Sequence, residues 1–139
     1  MSSTPEPVPE APAAPAPWPS PAARRLLWLL LLVAWTVALV VPIPFRDHGK
    51  SEWVAPLFTF SKFLHVSVYA LLAAAVAWLR WPTGWRLAAL AVLCGHGMLT
   101  EFLQWLLEDY SHRSGKWPDV GLDVIGVALG TLLTWRRPR

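Results

Sequence analysis

The chain has 139 residues, of which 55% are apolar and 15% charged, with a mean hydropathy of +0.40 and a net charge of +3. That length leaves room for one domain, and the apolar share excludes an ordinary soluble one. The positive residues sit beside apolar runs, so the small positive balance is no nucleic-acid signal, and one cysteine, Cys94, excludes an intrachain disulfide.

Residues 1–23 are rich in proline among Ala, Ser and Glu, with Trp18 their only aromatic. Such a segment cannot bury a core and is expected to be a disordered, partly extended tail. Arg24 and Arg25 then precede the first apolar run, Leu26–Val41. No small-residue cleavage site follows this run, which ends in Val41-Pro42-Ile43-Pro44, so it reads as a retained span rather than a signal peptide. Apart from Thr36 its residues are Leu, Val, Ala and Trp all round, without the polar face that a soluble bundle helix needs.

Pro42 to Ser61 forms a longer connection containing Pro56 and aromatics. The second run, Phe63–Leu79, is joined to the third, Trp85–Leu107, by the tight turn Trp81-Pro82-Thr83-Gly84, as antiparallel neighbours require. Cys94 lies within the third run and reads as a small packing residue. Val120–Trp135 is the fourth run. Each run suits a helix crossing a hydrocarbon layer of about 30 Å, the shortest with help from flanking residues. The expected fold is all-α: a four-helix transmembrane bundle over residues 24–137, preceded by the tail.

Charge orients the bundle. Arg24, Arg25, Arg80, Arg86, Arg136, Arg137 and Arg139 fall on one side, against Arg46, Lys50, Lys62, Arg113 and Lys116, which are mixed with acids, on the other. The positive-inside bias therefore places both termini in the cytoplasm. Tryptophans fit this map, with Trp28, Trp78, Trp81, Trp85 and Trp135 as an inner belt and Trp53, Trp105 and Trp117 as an outer one.

The polar residues of the spans gather at one level. Lys62, His65 and Tyr69 follow i, i+3, i+7 at the start of span two, and Glu101 and Gln104 lie three apart near the end of span three. Asp119, Asp123, Gly126 and Gly130 share one face of span four, and Arg113 lies in the preceding loop. Because alternate spans reverse direction, all reach the same, extracytoplasmic side.

Several members have simple explanations. Lys62 can snorkel at a helix end, Asp119 after Pro118 can serve a helix dipole, Tyr69 can anchor at an interface, and Gly126 and Gly130 form a packing G-x-x-x-G. Glu101 and Asp123 resist such treatment, because an unpaired acid within a span costs about 2–3 kcal/mol on insertion scales. Pairing Glu101 with Lys62 or Arg113, and Asp123 with His65, would serve as interhelical glue. His96, nearer mid-span with Thr100 and Gln104 on its face, reads as a satisfied packing histidine.

The blocks Ser61-Lys62-x-x-His65-x-x-x-Tyr69, Glu101-x-x-Gln104, and Arg113 followed by Asp119, Asp123, Gly126 and Gly130 resemble the VanZ-like family of small bacterial membrane proteins. Its pattern reads D-K-x-x-H-F-x-x-Y, E-x-x-Q and R-x5-D-x3-N-x2-G-x3-G, and the likeness covers roughly residues 30–135. Ser61 stands in place of Asp, Val66 in place of Phe, and Asp123 in place of Asn. The last departure adds an acid at depth, where a role of the amide need not transfer. The resemblance implies a four-helix protein of the bacterial cytoplasmic membrane, linked through the founding member with low-level teicoplanin resistance.

The leading expectation is an envelope protein, not an enzyme and needing no cofactor, that binds a lipid headgroup, a cell-wall precursor or a glycopeptide-like amphiphile among membrane lipids. Lys62, His65, Tyr69, Glu101, Gln104, Arg113, Asp119 and Asp123 would form its site, with the two cations meeting an anionic group and the acids orienting them. One alternative is an intramembrane lipid hydrolase or transferase, using His65 and Glu101 as acid and base, or a divalent metal on His65, Glu101, Asp119 and Asp123. A lipid-phosphatase likeness is poor, since Asp119 stands where that motif needs His. A structural partner of a larger membrane complex is the other alternative.

Overall fold

A computed structural model of the chain describes residues 19–41, 54–111 and 115–135, with the side chains of 54–58 and 111 left aside. The expected tail is thus outside the described residues up to 18, as are Arg113, His48, His112, Trp53 and the last four residues. The described residues form five helices and no strand. They are α1 (Pro21–Val40), α2 (Val54–Trp78), α3 (Thr83–Leu106), the single-turn α4 (Glu108–Ser111) and α5 (Trp117–Trp135).

Four of these helices are long and apolar enough to cross a membrane. The shortest, α5, has 19 residues and is about 28 Å long at 1.5 Å per residue. Large apolar side chains cover their outer surfaces, from Leu26, Leu29 and Leu30 on α1 to Leu132 and Leu133 on α5. Hydroxyls on the helices bond backwards: Thr36 to Leu32 O, Thr131 to Val127 O and Thr134 to Gly130 O, which satisfies them without water.

The helix boundaries correct three expectations. Ser20 caps α1 by accepting from Ala23 N–H at 3.2 Å, with Pro21 pre-set at the first helical position, so the helix begins three residues before the expected domain start. α2 begins at Val54, taking in the end of the segment expected as a connection. The α2–α3 turn is shifted back, because Arg80 supplies its left-handed residue at φ 54° and Thr83 and Gly84 are already helical.

Contacts at the helix ends fix the directions. Arg24, at the start of α1, donates to Trp78 O at the end of α2, and Arg86, at the start of α3, lies over the Trp135 ring at the end of α5. At the opposite end Gln104 of α3 donates to Leu39 O of α1, and Lys62 of α2 pairs with Asp119 of α5. Neighbours in sequence are therefore antiparallel, while α2 and α5 run parallel and make the closest contact. A Cβ on Gly126 would fall 2.5 Å from Val66 O and 2.9 Å from Tyr69 Cβ, and one on Gly130 would collide with Ala70 O. The packing role expected for this G-x-x-x-G agrees with that geometry.

The core is Trp28, Tyr69, Leu72, Ala73, Val76, Leu79, Ala89, Leu93 and Val127, with Cys94 packed against it. Trp28 therefore departs from the expected inner belt. It is 4% exposed, its Nε1 donates to Leu72 O at 3.0 Å, and Trp81 meets it edge-on. Trp78, Trp85, Trp105, Trp117 and Trp135 are exposed as a belt requires.

Candidate functional site

Polar side chains occupy three successive levels at one end of the bundle. At the mouth, Asp119 stands in the first turn of α5, just after Pro118, and forms an ion pair with Lys62. Their side chains are 24% and 10% exposed, Lys62 being the wetter partner. Glu101 was expected to pair with Lys62 or with Arg113, and of these Arg113 lies outside the described residues while Lys62 forms an ion pair elsewhere. It meets Asp119, because parallel packing sets the third turn of α2 beside the first turn of α5.

One turn deeper, His65 Nδ1 lies 2.8 Å from Asp123 Oδ1, and both side chains are buried. This is the pairing expected from the sequence. The edge of the Trp35 ring from α1 closes on the imidazole, with centroids 5.9 Å apart. Glu101 enters from α3, and its Oε2 accepts the Lys116 backbone N–H at 2.5 Å. That bond depends on Gly115, where a Cβ would run into the Glu101 carbonyl and the Trp105 nitrogen. Gly97, one turn before Glu101, faces Asp123: a Cβ there would lie 2.7 Å from Oδ2. Two oxygens at this level, Glu101 Oε1 and Asp123 Oδ2, are buried with no hydrogen-bond partner among the described residues. One donor atom from each of His65, Glu101 and Asp123 lies within 4.8 Å of the others.

The third level is neutral. Tyr69 is fully buried, and its hydroxyl lies 2.8 Å from His96 Nδ1. His96 Nε2 lies 2.8 Å from Thr36 Oγ1, which itself bonds Leu32 O at 2.9 Å. The threonine has one proton, and it goes to Leu32 O, so Nε2–H donates to Thr36 and Nδ1 accepts from Tyr69. His96 is thereby satisfied at both nitrogens, as a packing histidine should be, and it ties α1, α2 and α3 together.

Of the eight residues expected at the site, Lys62, His65, Glu101, Asp119 and Asp123 gather at the two upper levels. Tyr69 is held by His96 below them, and Gln104 Nε2 donates at 3.1 Å to Leu39 O, one of the last carbonyls of α1. Both have protein partners where a ligand contact was expected. Arg113 is outside the described residues. The sequence reading passed over Trp35, Thr36, Gly97 and Gly115. Gly97 alone carried a signal, being four residues before Glu101 on the same face.

No family model, curated protein or solved structure matches the chain.

Proposed function

We propose that the chain is an integral protein of a bacterial cytoplasmic membrane, of the VanZ-like type, that holds the polar end of an amphiphile at the mouth of its bundle. Both termini lie in the cytoplasm, following the arginine bias, so the mouth faces outward. The observation that carries the reading is the Lys62–Asp119 pair, which sets a partly exposed ammonium over a buried polar layer at the end of an otherwise apolar bundle. A lone lysine there could snorkel. One held against an aspartate is positioned, and its partly exposed ammonium can meet an anionic headgroup.

A second feature supports an amphiphile over a free solute. Leu31, Ala34, Trp35, Val68, Leu71 and Leu72 line an apolar groove of about 340 Å³ between α1 and α2. Its wall residue Trp35 also touches His65. An acyl chain lying there would leave its headgroup near the polar levels. The ligand class is a phospholipid, a lipid-linked wall precursor or a glycopeptide-like amphiphile, with Arg113 as a further cation in the loop before α5.

Delipidated protein in detergent, offered phosphatidylglycerol and a zwitterionic lipid, tests this by native mass spectrometry. Wild type should retain the anionic lipid preferentially, and Lys62→Ala and Arg113→Ala should lose the preference. Unchanged retention in both variants would sink the reading.

A further inference from the structure

We propose that His65, Glu101 and Asp123 form a binding site for one divalent transition-metal ion, of the Zn²⁺ or Mn²⁺ class. The inference is independent of amphiphile binding at the mouth. It begins with an imbalance in the buried layer. Glu101 is 4% exposed and Asp123 is fully buried, and each keeps one carboxylate oxygen without a hydrogen-bond partner among the described residues. Buried polar atoms are ordinarily satisfied, and two orphaned acid oxygens in one layer are unusual.

The donors converge. α2, α3 and α5 each contribute one residue, and the three donor atoms lie within 4.8 Å of one another. Metal bonds of about 2.0–2.2 Å place neighbouring ligands about 3.0–3.4 Å apart, so side-chain adjustments on the order of an ångström close the set. One imidazole nitrogen and two carboxylate oxygens suit zinc or manganese better than calcium or magnesium, which take oxygen alone. A divalent ion would also balance two ionised carboxylates in a layer that excludes water, whereas two uncompensated acids there are heavily penalised.

The surroundings are shaped for it. The Lys116 N–H holds Glu101 by Oε2, leaving Oε1 as its unengaged oxygen. Gly97 keeps clear the space beside Asp123 Oδ2, which any side chain would fill. Orienting hydrogen bonds on the far oxygen are what carboxylate ligands need to be aimed. Asp119, grouped with these residues by sequence, belongs to the ion pair and not to the metal set.

The test uses the full chain in detergent, with any affinity tag removed, stripped by chelator and dialysed against Zn²⁺, Mn²⁺ and Co²⁺ in turn. Elemental analysis should find one ion per chain for at least one metal, and Co²⁺ should show visible bands of nitrogen–oxygen coordination. Glu101→Gln and Asp123→Asn keep shape, and each should weaken uptake by at least about tenfold with helix content intact. Should either fail to fold, His65→Gln and Gly97→Ala report on the same set from other helices. Lys62→Ala should keep the ion. Folded wild type that takes up none of the three metals would overturn the proposal. Stoichiometric uptake that survives both acid substitutions would overturn it equally, by putting the ion elsewhere.

Discussion

Gly97 on α3 and Asp123 on α5 approach so closely that a methyl group on the glycine would lie 2.7 Å from Asp123 Oδ2 and 3.0 Å from its Cβ. The contact lets a short acidic side chain sit at a helix–helix crossing without displacing either backbone. Gly97→Ala should push the carboxylate aside, at a cost of about 1–3 kcal/mol for overpacking. A lowered melting temperature in detergent, with weaker Zn²⁺ or Co²⁺ uptake, is the expected result. Unchanged values of both would show that Asp123 moves away freely.

Gly130 has a harder neighbour, the Ala70 carbonyl, which cannot rotate away as a side chain can. Gly130→Ala should part α2 from α5 and destabilise the bundle by about 1–3 kcal/mol. Gly84 and Gly121 meet nothing within 4 Å, so alanine there should be neutral or raise helix stability by up to about 1 kcal/mol. Thermal unfolding of the three variants side by side checks the contrast. Equal effects at all three would dismiss the close-approach argument.

The Lys62–Asp119 pair is suited to a double-mutant cycle. Lys62→Met and Asp119→Asn should each destabilise, because each leaves a partly buried partner without its counter-charge. The double variant should lose less than the sum, with a coupling of about 1 kcal/mol. Additivity to within about 0.3 kcal/mol would mean that the pair carries no energy.

His96 links three helices through Tyr69 and Thr36. His96→Ala should cost at least about 2 kcal/mol, from the lost packing and from a buried Tyr69 hydroxyl left without its acceptor. Adding Tyr69→Phe removes that hydroxyl and should recover about 1 kcal/mol. A second substitution that only deepens the loss would rule out the hydrogen bond as the link.

How much of this was legible in the sequence differed by residue. The four spans were, because continuous apolar runs of membrane-crossing length have few other uses. The faces were too: the i, i+3, i+7 spacing of Lys62, His65 and Tyr69, and the glycine spacing of α5, follow from helix geometry alone. The His65–Asp123 pairing could be anticipated, since both lie near the same ends of parallel apolar runs. The Lys62–Asp119 pair was not among the pairings that spacing suggested, because only the helix offset sets Asp119 a turn above Glu101. Trp28 was placed in an interfacial belt because its position near the start of a span says nothing about which way the ring turns. Tyr69 and Gln104 read as ligand contacts because their internal partners, His96 and Leu39 O, lie 27 and 65 residues away.

By itself, then, the sequence determined the element type, the number of long apolar helices and the level at which the polar residues gather. Periodicity, length and composition act within single helices and need no neighbours. Only the tertiary structure decided which acid is paired and which is left over. That choice is set by contacts between residues nearly sixty positions apart, Lys62 with Asp119 and His65 with Asp123. It is also set by glycines whose missing side chains fix how near α5 comes to α2 and α3. The unpartnered oxygens of Glu101 and Asp123 are a product of that packing, and no reading of spacing alone could have found them.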